Sequence, residues 1–298
     1  MSASSNGASL TARPLSSRVI AICLVTGALA GLTSGLMGVG GGIIMIPLMT
    51  ALLALTQHKA HGTSLAVIVF TAISSALTYL WKVQGGGASG QATIALTTYL
   101  LLAVELAAGA IVGARIGALT MNKIPARELR LLFGVFIFFV GLRLLLVPLP
   151  AYQTLDPEMI HNLAGILEVV VIGLITGILS GMLGVGGGIV MVPAMVLILH
   201  MPQSYAQGVS LLVIIPTSMV GAYTHLKKGN VVTSIVPWIA AVSVVTGIVG
   251  SLLALGPLKS VLTQVFAVFL LLVSVQMTYT AWRQPATKKA APSRQGGS

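Results

Sequence analysis

Long apolar runs, many of about twenty residues, make up most of this sequence and limit its fold more than any other feature. A helix of that length can cross the hydrocarbon core of a bilayer, which is about 30 Å thick. Only 7% of the residues are charged, whereas a soluble domain needs roughly 25%. The sequence therefore predicts an all-α integral membrane protein.

The scarcity of acidic residues excludes several classes of enzyme. The chain has five Asp and Glu residues, and it has no G-x-x-x-x-G-K-[ST] phosphate loop, no H-E-x-x-H motif and no Cys/His cluster. We therefore expect no enzymatic activity, no cofactor and no metal site. The net charge of +11 comes from basic residues in loops and tails, which is typical of orientation in a bilayer and not of nucleic-acid binding.

An internal repeat divides the chain into two halves. Residues 31–49 read GLTSGLMGVGGGIIMIPLM and residues 177–195 read GILSGMLGVGGGIVMVPAM, so 12 of 19 positions are identical at an offset of 146. The same offset relates Lys82 to Lys228. Self-similarity of this kind predicts two related structural units.

Each half contains five apolar segments. In the first half they lie at about 18–38, 43–56, 61–81, 92–121 and 126–147, and in the second at about 162–184, 189–200, 205–226, 231–256 and 259–282. The predicted domains are a disordered cytoplasmic tail (1–17), repeat 1 (18–147), an extracytoplasmic linker (148–160), repeat 2 (161–283) and a basic cytoplasmic tail (284–298).

An odd number of crossings in each half would place the halves in opposite orientations. With ten crossings and the N-terminus inside, 12 of the 16 Lys and Arg residues face the cytoplasm, three face outward and Arg115 lies within a segment. If the short second and seventh segments did not cross, the division would be ten against five. The positive-inside rule favours ten segments in two inverted five-helix repeats. We expect a bacterial plasma (inner) membrane protein with both termini cytoplasmic.

Glycine clusters interrupt the apolar segments at matching places in the two halves. Consecutive glycines destabilise a helix by about 1 kcal/mol each relative to alanine, so glycine-interrupted helices are predicted. The helix after each break offers free N–H groups and the positive end of its dipole, which suit an anion. A purely structural turn is the alternative. The candidate substrate-binding glycines are Gly40, Gly41, Gly42, Gly186, Gly187 and Gly188.

Matching polar residues flank these clusters. Four serines are candidates for hydrogen bonds to an anion: Ser34, Ser180, Ser64 and Ser210. The alternative for each is a bond back to its own helix. Gln57 and Gln203 also match, but both lie near a membrane end, where solvation is the better explanation.

Two charged residues within one segment are candidates for ion coupling. Glu105 lies near the centre of that segment and could carry a proton, while a neutral, hydrogen-bonded carboxyl is the structural alternative. Arg115 could attract an anion, although snorkelling to the interface is favoured. His61 and His225 lie near segment ends and receive no role.

Each half contains the pattern G-[LI]-x-S-G-x-x-G-V-G-G-G-I-x-M-x-P-x-M, and the same Gln, Ala, Gly, Ser and Leu residues follow it in each half. With these features the sequence resembles the TauE/SafE family. The likeness covers nearly all of residues 18–283. The resemblance implies transport of sulfite, sulfonates or related sulfur-containing organic anions, often by export. An oxyanion is also what two helix N-termini would bind.

These inferences together predict a secondary transporter that moves a small sulfur-containing anion by alternating access, coupled to an ion gradient. A passive anion channel that uses the same amides is the alternative. The expected partners are the anionic substrate and the lipid bilayer, and a homo-oligomer remains open. Valine at Gly41 or Gly187 is predicted to abolish anion binding while the protein still inserts.

Overall fold

The fold is all-α over the part of the chain that the structure describes. The computed structural model describes residues 16–84, 96–120, 126–147, 162–183 and 187–283. Its ten α-helices are α1 (Ser17–Met37), α2 (Gly42–Leu52), α3 (Gln57–Gln84), α4 (Leu96–Thr120), α5 (Ala126–Leu146), α6 (Leu163–Leu183), α7 (Gly188–Leu197), α8 (Gln203–Lys227), α9 (Val236–Leu255) and α10 (Leu262–Arg283). A 3-10 turn, Lys259–Val261, leads into α10.

The two halves repeat one order of helix lengths, with a short second helix followed by three long ones. Helix α6 begins and ends 146 residues after α1. Each of the ten predicted segments is found as a helix, and the largest difference at an end is five residues, where α9 begins at 236 and not at 231. The predicted tails and the linker lie almost entirely outside the described residues.

Within the described residues, seven helices are long and apolar enough to cross a membrane. Three shorter apolar stretches accompany them: Gly42–Leu52, Leu163–Leu179 and Gly188–Leu197. The short helices α2 and α7 have 11 and 10 residues, or about 15 Å at 1.5 Å per residue, roughly half of a hydrocarbon core. The prediction of an all-α, multi-pass membrane protein is therefore confirmed, and a full crossing by α2 and α7 stays a prediction.

The main helix pairs join one half to the other. Helix α1 packs against α9, and its repeat counterpart α6 packs against α4. Helix α3 packs against both α8 and α9, while α8 also contacts α4. Helices α5 and α10 form the last large pair. The halves are therefore interlocked, because the first helix of each packs on the fourth helix of the other.

Glycines allow the closest of these helix pairs to form. A Cβ added at Gly31 of α1 would meet the carbonyl oxygen of Ser243 in α9, and one added at Gly177 of α6 would meet that of Ala110 in α4. Small residues with this spacing let two helix backbones approach closely. Glycine at these two positions therefore allows the helix backbones to meet.

The contacts between α3 and α8 are reciprocal. A Cβ at Gly62 of α3 would lie 2.9 Å from the Cβ of His225 in α8, and one at Gly208 of α8 would lie 3.0 Å from the Cβ of Tyr79 in α3. Gly208 and His225 are the counterparts of Gly62 and Tyr79 at the offset of 146. Exchanging the two halves therefore turns one contact into the other. Because each contact joins the first part of one helix to the last part of the other, α3 and α8 run antiparallel.

Candidate functional site

The first glycine cluster forms a turn between α1 and α2 that only glycine adopts without strain. Gly38 ends α1 with a φ of 68°, and its N–H donates to the carbonyl of Ser34 at 2.8 Å. Gly40 and Gly41 follow with φ angles of 79° and 72°. Side chains with a Cβ rarely adopt this left-handed region. The turn is therefore fixed by its glycines, and it is buried.

Helix α2 starts at this turn with its first amides directed at the protein interior. The carbonyl of Gly41 accepts from Ile44 and Met45, at 3.2 and 3.1 Å. The amides of Gly42 and Ile43 precede the first intrahelical hydrogen bonds, so they have no partner within the helix, as at every helix N-terminus. Gly42 is buried and Ile43 is half-buried. The positive end of the α2 dipole is therefore buried.

The second cluster repeats this arrangement at the start of α7. Gly187 has a φ of 33°, and its carbonyl accepts from Val190 and Met191 at 3.1 and 3.0 Å. Gly186 lies outside the described residues, and Gly188 is the first residue of α7. The N-termini of α2 and α7 are thus built in the same way.

The structure brings the two clusters together. A Cβ added at Gly188 would lie 2.6 Å from the carbonyl oxygen of Gly38 and 2.7 Å from the Cα of Val39. Ser210 of α8 donates a hydrogen bond from its Oγ to the same Gly38 carbonyl, at 2.9 Å. The start of α7 therefore rests on the turn that precedes α2.

The candidate serines have different partners. The Oγ of Ser64 donates to the carbonyl of His61 in its own helix at 2.9 Å, which is the alternative considered for it. The Oγ of Ser34 is buried and has no hydrogen-bond partner within the described chain. The side chain of Ser180 lies outside what the structure describes. Of the three candidate serines whose side chains are described, Ser210 donates to the glycine turn, and the hydroxyl of Ser34 has no partner among the described residues.

A small cavity borders one of the two glycine turns. Its volume is about 30 Å³, and a void of this size holds about one water molecule. Its lining residues are Ala110, Ala114, Gly177, Gly187, Met191, Val213, Ile214 and Thr217. The cavity is too small for a sulfur oxyanion, so the molecule is closed around this site.

The corresponding residues of the other half make a different contact. Thr71 is the counterpart of Thr217 at the offset of 146, and Ser243 faces Gly31 as Ala110 faces Gly177. The hydroxyls of Thr71 and Ser243 lie 2.7 Å apart and are joined by a hydrogen bond. The two glycine turns therefore differ in their surroundings.

The two coupling candidates lie on α4, outside the cavity lining. Glu105 is half-buried, and Arg115 is exposed on the surface of the helix. Exposure of Arg115 favours snorkelling over contact with a bound anion.

Sequence reasoning missed a polar pair at each end of the contact between α3 and α8. The Tyr79 hydroxyl donates to the Oε1 of Gln207 at 2.8 Å at one end, and the rings of His61 and His225 lie 5.2 Å apart at the other. The two histidines received no role from the sequence, yet they meet at the end opposite to Tyr79 and Gln207, and they are the repeat counterparts of that pair. The antiparallel pairing of α3 and α8 was the missing information.

Two further expectations need correction. Gln57 is exposed as expected, but Gln203 is only 3% exposed, so solvation does not explain its position. Valine at Gly41 would combine a φ of 72° with a collision at the carbonyl of Ala30. That substitution would disturb the fold as well as binding, so it cannot separate the two.

Comparison with known proteins agrees with this architecture. The chain matches the family model described as Sulfite exporter TauE/SafE over residues 3–144 and 169–297. It is 29% identical over 245 residues to the probable membrane transporter protein YunE of Bacillus subtilis, covering 76% of this chain and 83% of YunE. It is 27% identical over 264 residues to a probable membrane transporter protein of Xylella fastidiosa, covering 88% and 95%.

A relative from Methanocaldococcus jannaschii, also named a probable membrane transporter protein, is 26% identical over 218 residues, covering 71% of this chain and 74% of the relative. The fold and these relatives define the class of the protein, a multi-pass membrane transporter. Within that class, the chain belongs to the Sulfite exporter TauE/SafE family.

Proposed function

We propose that this protein is a secondary transporter that moves a small sulfur-containing anion, such as sulfite or a sulfonate, by alternating access coupled to an ion gradient. The observation that carries the proposal is the contact between the two glycine turns, where Gly188 at the start of α7 rests on the carbonyl of Gly38. The family description supplies the substrate class.

The electrostatics of the turns support an anionic substrate. Each short helix begins at a glycine turn, so the positive ends of two dipoles, about half a charge each, lie within the protein. Amides next to glycine can be approached closely because no Cβ is in the way. Such a site binds an anion with little formal positive charge.

We further infer that the halves are inverted repeats with ten crossings and glycine-interrupted helices. The protein lies in the inner membrane of a bacterial cell, and both termini are in the cytoplasm. The exchanged contacts of Gly62 with His225 and Gly208 with Tyr79 support a pseudo-two-fold axis in the plane of the membrane. Transporters built from inverted repeats bind their substrate where the halves meet near the midplane.

The closed state fits one step of an alternating cycle. The cavity of about 30 Å³ cannot hold a substrate, so binding requires that the halves separate on one side. The α3 and α8 pair has a polar contact at each of its two ends, so each side of the membrane has its own point of closure. Opening one closure while the other holds would expose the glycine turns to one compartment at a time.

Reconstituted liposomes provide the test. We expect saturable uptake of radiolabelled sulfite by the full-length protein, with faster uptake when unlabelled sulfite is loaded inside, because a carrier returns faster when it is loaded. A passive channel would instead give electrical currents that do not saturate and no stimulation from the far side. Absence of flux for sulfite, sulfoacetate and sulfate would contradict the proposal.

A further inference from the structure

A group of buried polar side chains lies beside the Gly38 turn, and it joins Ser34 to residues outside the set of candidate glycines and serines. Gln207 of α8 is fully buried, and a Cβ added at Gly38 would lie 2.7 Å from its Cα. The hydroxyl of Tyr79 lies 2.8 Å from the Oε1 of Gln207 and 2.9 Å from the carbonyl of Gly35 in α1. These contacts join α1, α3 and α8 immediately next to the turn.

Several hydrogen-bonding groups in this cluster are unused. The Nε2 of Gln207, the hydroxyl of Tyr99 and the Oγ of Ser34 are buried without a hydrogen-bond partner among the described residues. Tyr99 and Ser34 have no exposed surface. Folded proteins leave few buried polar groups unpaired, and such groups indicate an absent ligand, ion or water.

The unused groups belong to one region of the molecule. Tyr99 and Tyr79 both abut Gly208, the residue that follows Gln207. Ser34 lies one helical turn before Gly38, and its carbonyl accepts from the Gly38 amide at 2.8 Å. Gln203, one turn before Gln207 in α8, is also buried with both amide atoms unpaired within the described chain. The group therefore extends from the start of α8 to the glycine turn.

The chemistry of these side chains selects the ligand. The Oε1 of Gln207 already accepts from Tyr79, so the amide offers its N–H groups. The hydroxyls of Tyr99 and Ser34 can each donate one proton. None of these side chains is ionised, and three donors suit a ligand with several acceptor oxygens.

We propose that Gln207, Tyr99 and Ser34 form a neutral donor subsite that binds the oxygens of the transported oxyanion next to the amides of the first glycine turn. This inference rests on the proposed function and adds the side chains that recognise the substrate. Neutral donors bind an anion more weakly than a cation would, which suits a carrier that must release its cargo. In the closed state, the bond between Tyr79 and Gln207 closes the subsite.

The subsite belongs to one end of the α3 and α8 pair. The positions that correspond to Tyr79 and Gln207 at the other end hold His225 and His61, whose rings meet edge to face. Gln57, the counterpart of Gln203, is exposed. The two ends therefore present different groups to an anion, and substrate recognition by neutral donors is a property of the end that contains Gln207.

Single substitutions separate binding from folding. Tyr99→Phe and Ser34→Ala each remove one unpaired hydroxyl, so sulfite binding to the full-length protein in detergent should weaken about tenfold per lost donor. The melting temperature should stay the same or rise, because a buried polar group without a partner is removed. A hydroxyl with a purely structural role would instead lower the melting temperature and leave affinity unchanged, which would overturn the inference.

The matched control is Thr26→Val, which removes another fully buried hydroxyl of α1 that is unpaired within the described residues. Thr26 lies eight residues before Ser34, about 12 Å along the helix, so its loss should leave sulfite affinity unchanged. Gln207→Glu adds a test of charge, since an ionised carboxylate would repel the anion more than Gln207→Leu would. Weaker binding in Gln207→Leu than in Gln207→Glu would contradict an anionic ligand.

The same titrations distinguish failure of this inference from failure of the proposed function. Sulfite binding and flux in the unaltered protein, with equal affinity in Tyr99→Phe and Ser34→Ala, would overturn the donor subsite alone. Binding of acetate or phosphate in place of sulfite, lost in the same variants, would uphold the subsite and overturn the sulfur-anion assignment. No binding of any of these anions by the unaltered protein would overturn both.

Discussion

Ser64 and Ser210 occupy the same position of the repeat, yet their hydroxyls bond different partners. Ser64 bonds the carbonyl of His61 in its own helix, whereas Ser210 reaches across to the carbonyl of Gly38 at the first glycine turn. That carbonyl ends a helix and needs a partner from elsewhere in the molecule. The bond from Ser210 therefore fixes the turn against α8, and the repeat supplies an internal control for its value.

We expect Ser210→Ala to destabilise the protein by about 1–3 kcal/mol, because the buried carbonyl of Gly38 would lose its donor. Ser64→Ala should change stability by less than about 0.5 kcal/mol, because the His61 carbonyl keeps its helical bond. Thermal unfolding of both variants in the same detergent measures the difference. Equal melting temperatures would show that the Ser210 bond does not hold the turn.

The sequence identified the residues of the turns but not all of their partners. Glycine clusters at matching positions indicate a broken helix because the cost of glycine within a helix is local. The positions of Tyr79, Tyr99 and Gln207 depend on which helices meet, and apolar periodicity does not contain that information. Gln203 was misjudged for the same reason, since its exposure depends on neighbours distant in sequence.

At the scale of helices, the closest packing occurs where the first helix of each half meets the fourth helix of the other. The glycine stripe of α1 lies against backbone atoms of α9, at Gly27, Gly31 and Gly35. The reciprocal contact is also made by glycine, because a Cβ at Gly250 of α9 would meet the carbonyl of Leu32. Such a contact leaves no room for a side chain on either helix.

We expect Gly31→Ala to lower stability by about 1–3 kcal/mol through overpacking, because the new methyl group would meet the backbone of Ser243. Gly221→Ala in α8 is the control, since its methyl group would lie 2.9 Å from the Cδ1 of Leu65, a side chain that can move. Both changes gain the same helix propensity. A melting temperature no lower for Gly31→Ala than for Gly221→Ala would contradict close packing of α1 on α9.

The positions of all ten helices followed from the apolar runs, since helix length and composition are properties of short segments. Which helices pair could not be predicted in this way. Helices α1 and α9 lie far apart in the chain, and a pair of interlocked halves has the same apolar pattern as two halves that fold separately. The repeat indicated two related units, and the contacts of the structure show that each completes the other.

At the scale of the whole molecule, the orientation of the two halves decides whether alternating access is available to this fold. The antiparallel contact of α3 with its counterpart α8 predicts that matching positions at the ends of these helices lie on opposite sides of the bilayer. Lys82 and Lys228 are such a pair, at the same repeat position and both exposed. The native Cys23 is buried and would not react with a label confined to water.

We therefore expect Lys82→Cys to react with a membrane-impermeant maleimide in intact cells, and Lys228→Cys to react only after the cells are permeabilised. The direction follows from the excess of Lys and Arg predicted on the cytoplasmic side. Labelling of both from the same side would contradict inverted repeats and leave the two glycine turns without access from opposite compartments. Labelling with the sides exchanged would preserve the inversion and reverse the membrane orientation, which would place the Gln207 subsite on the cytoplasmic side.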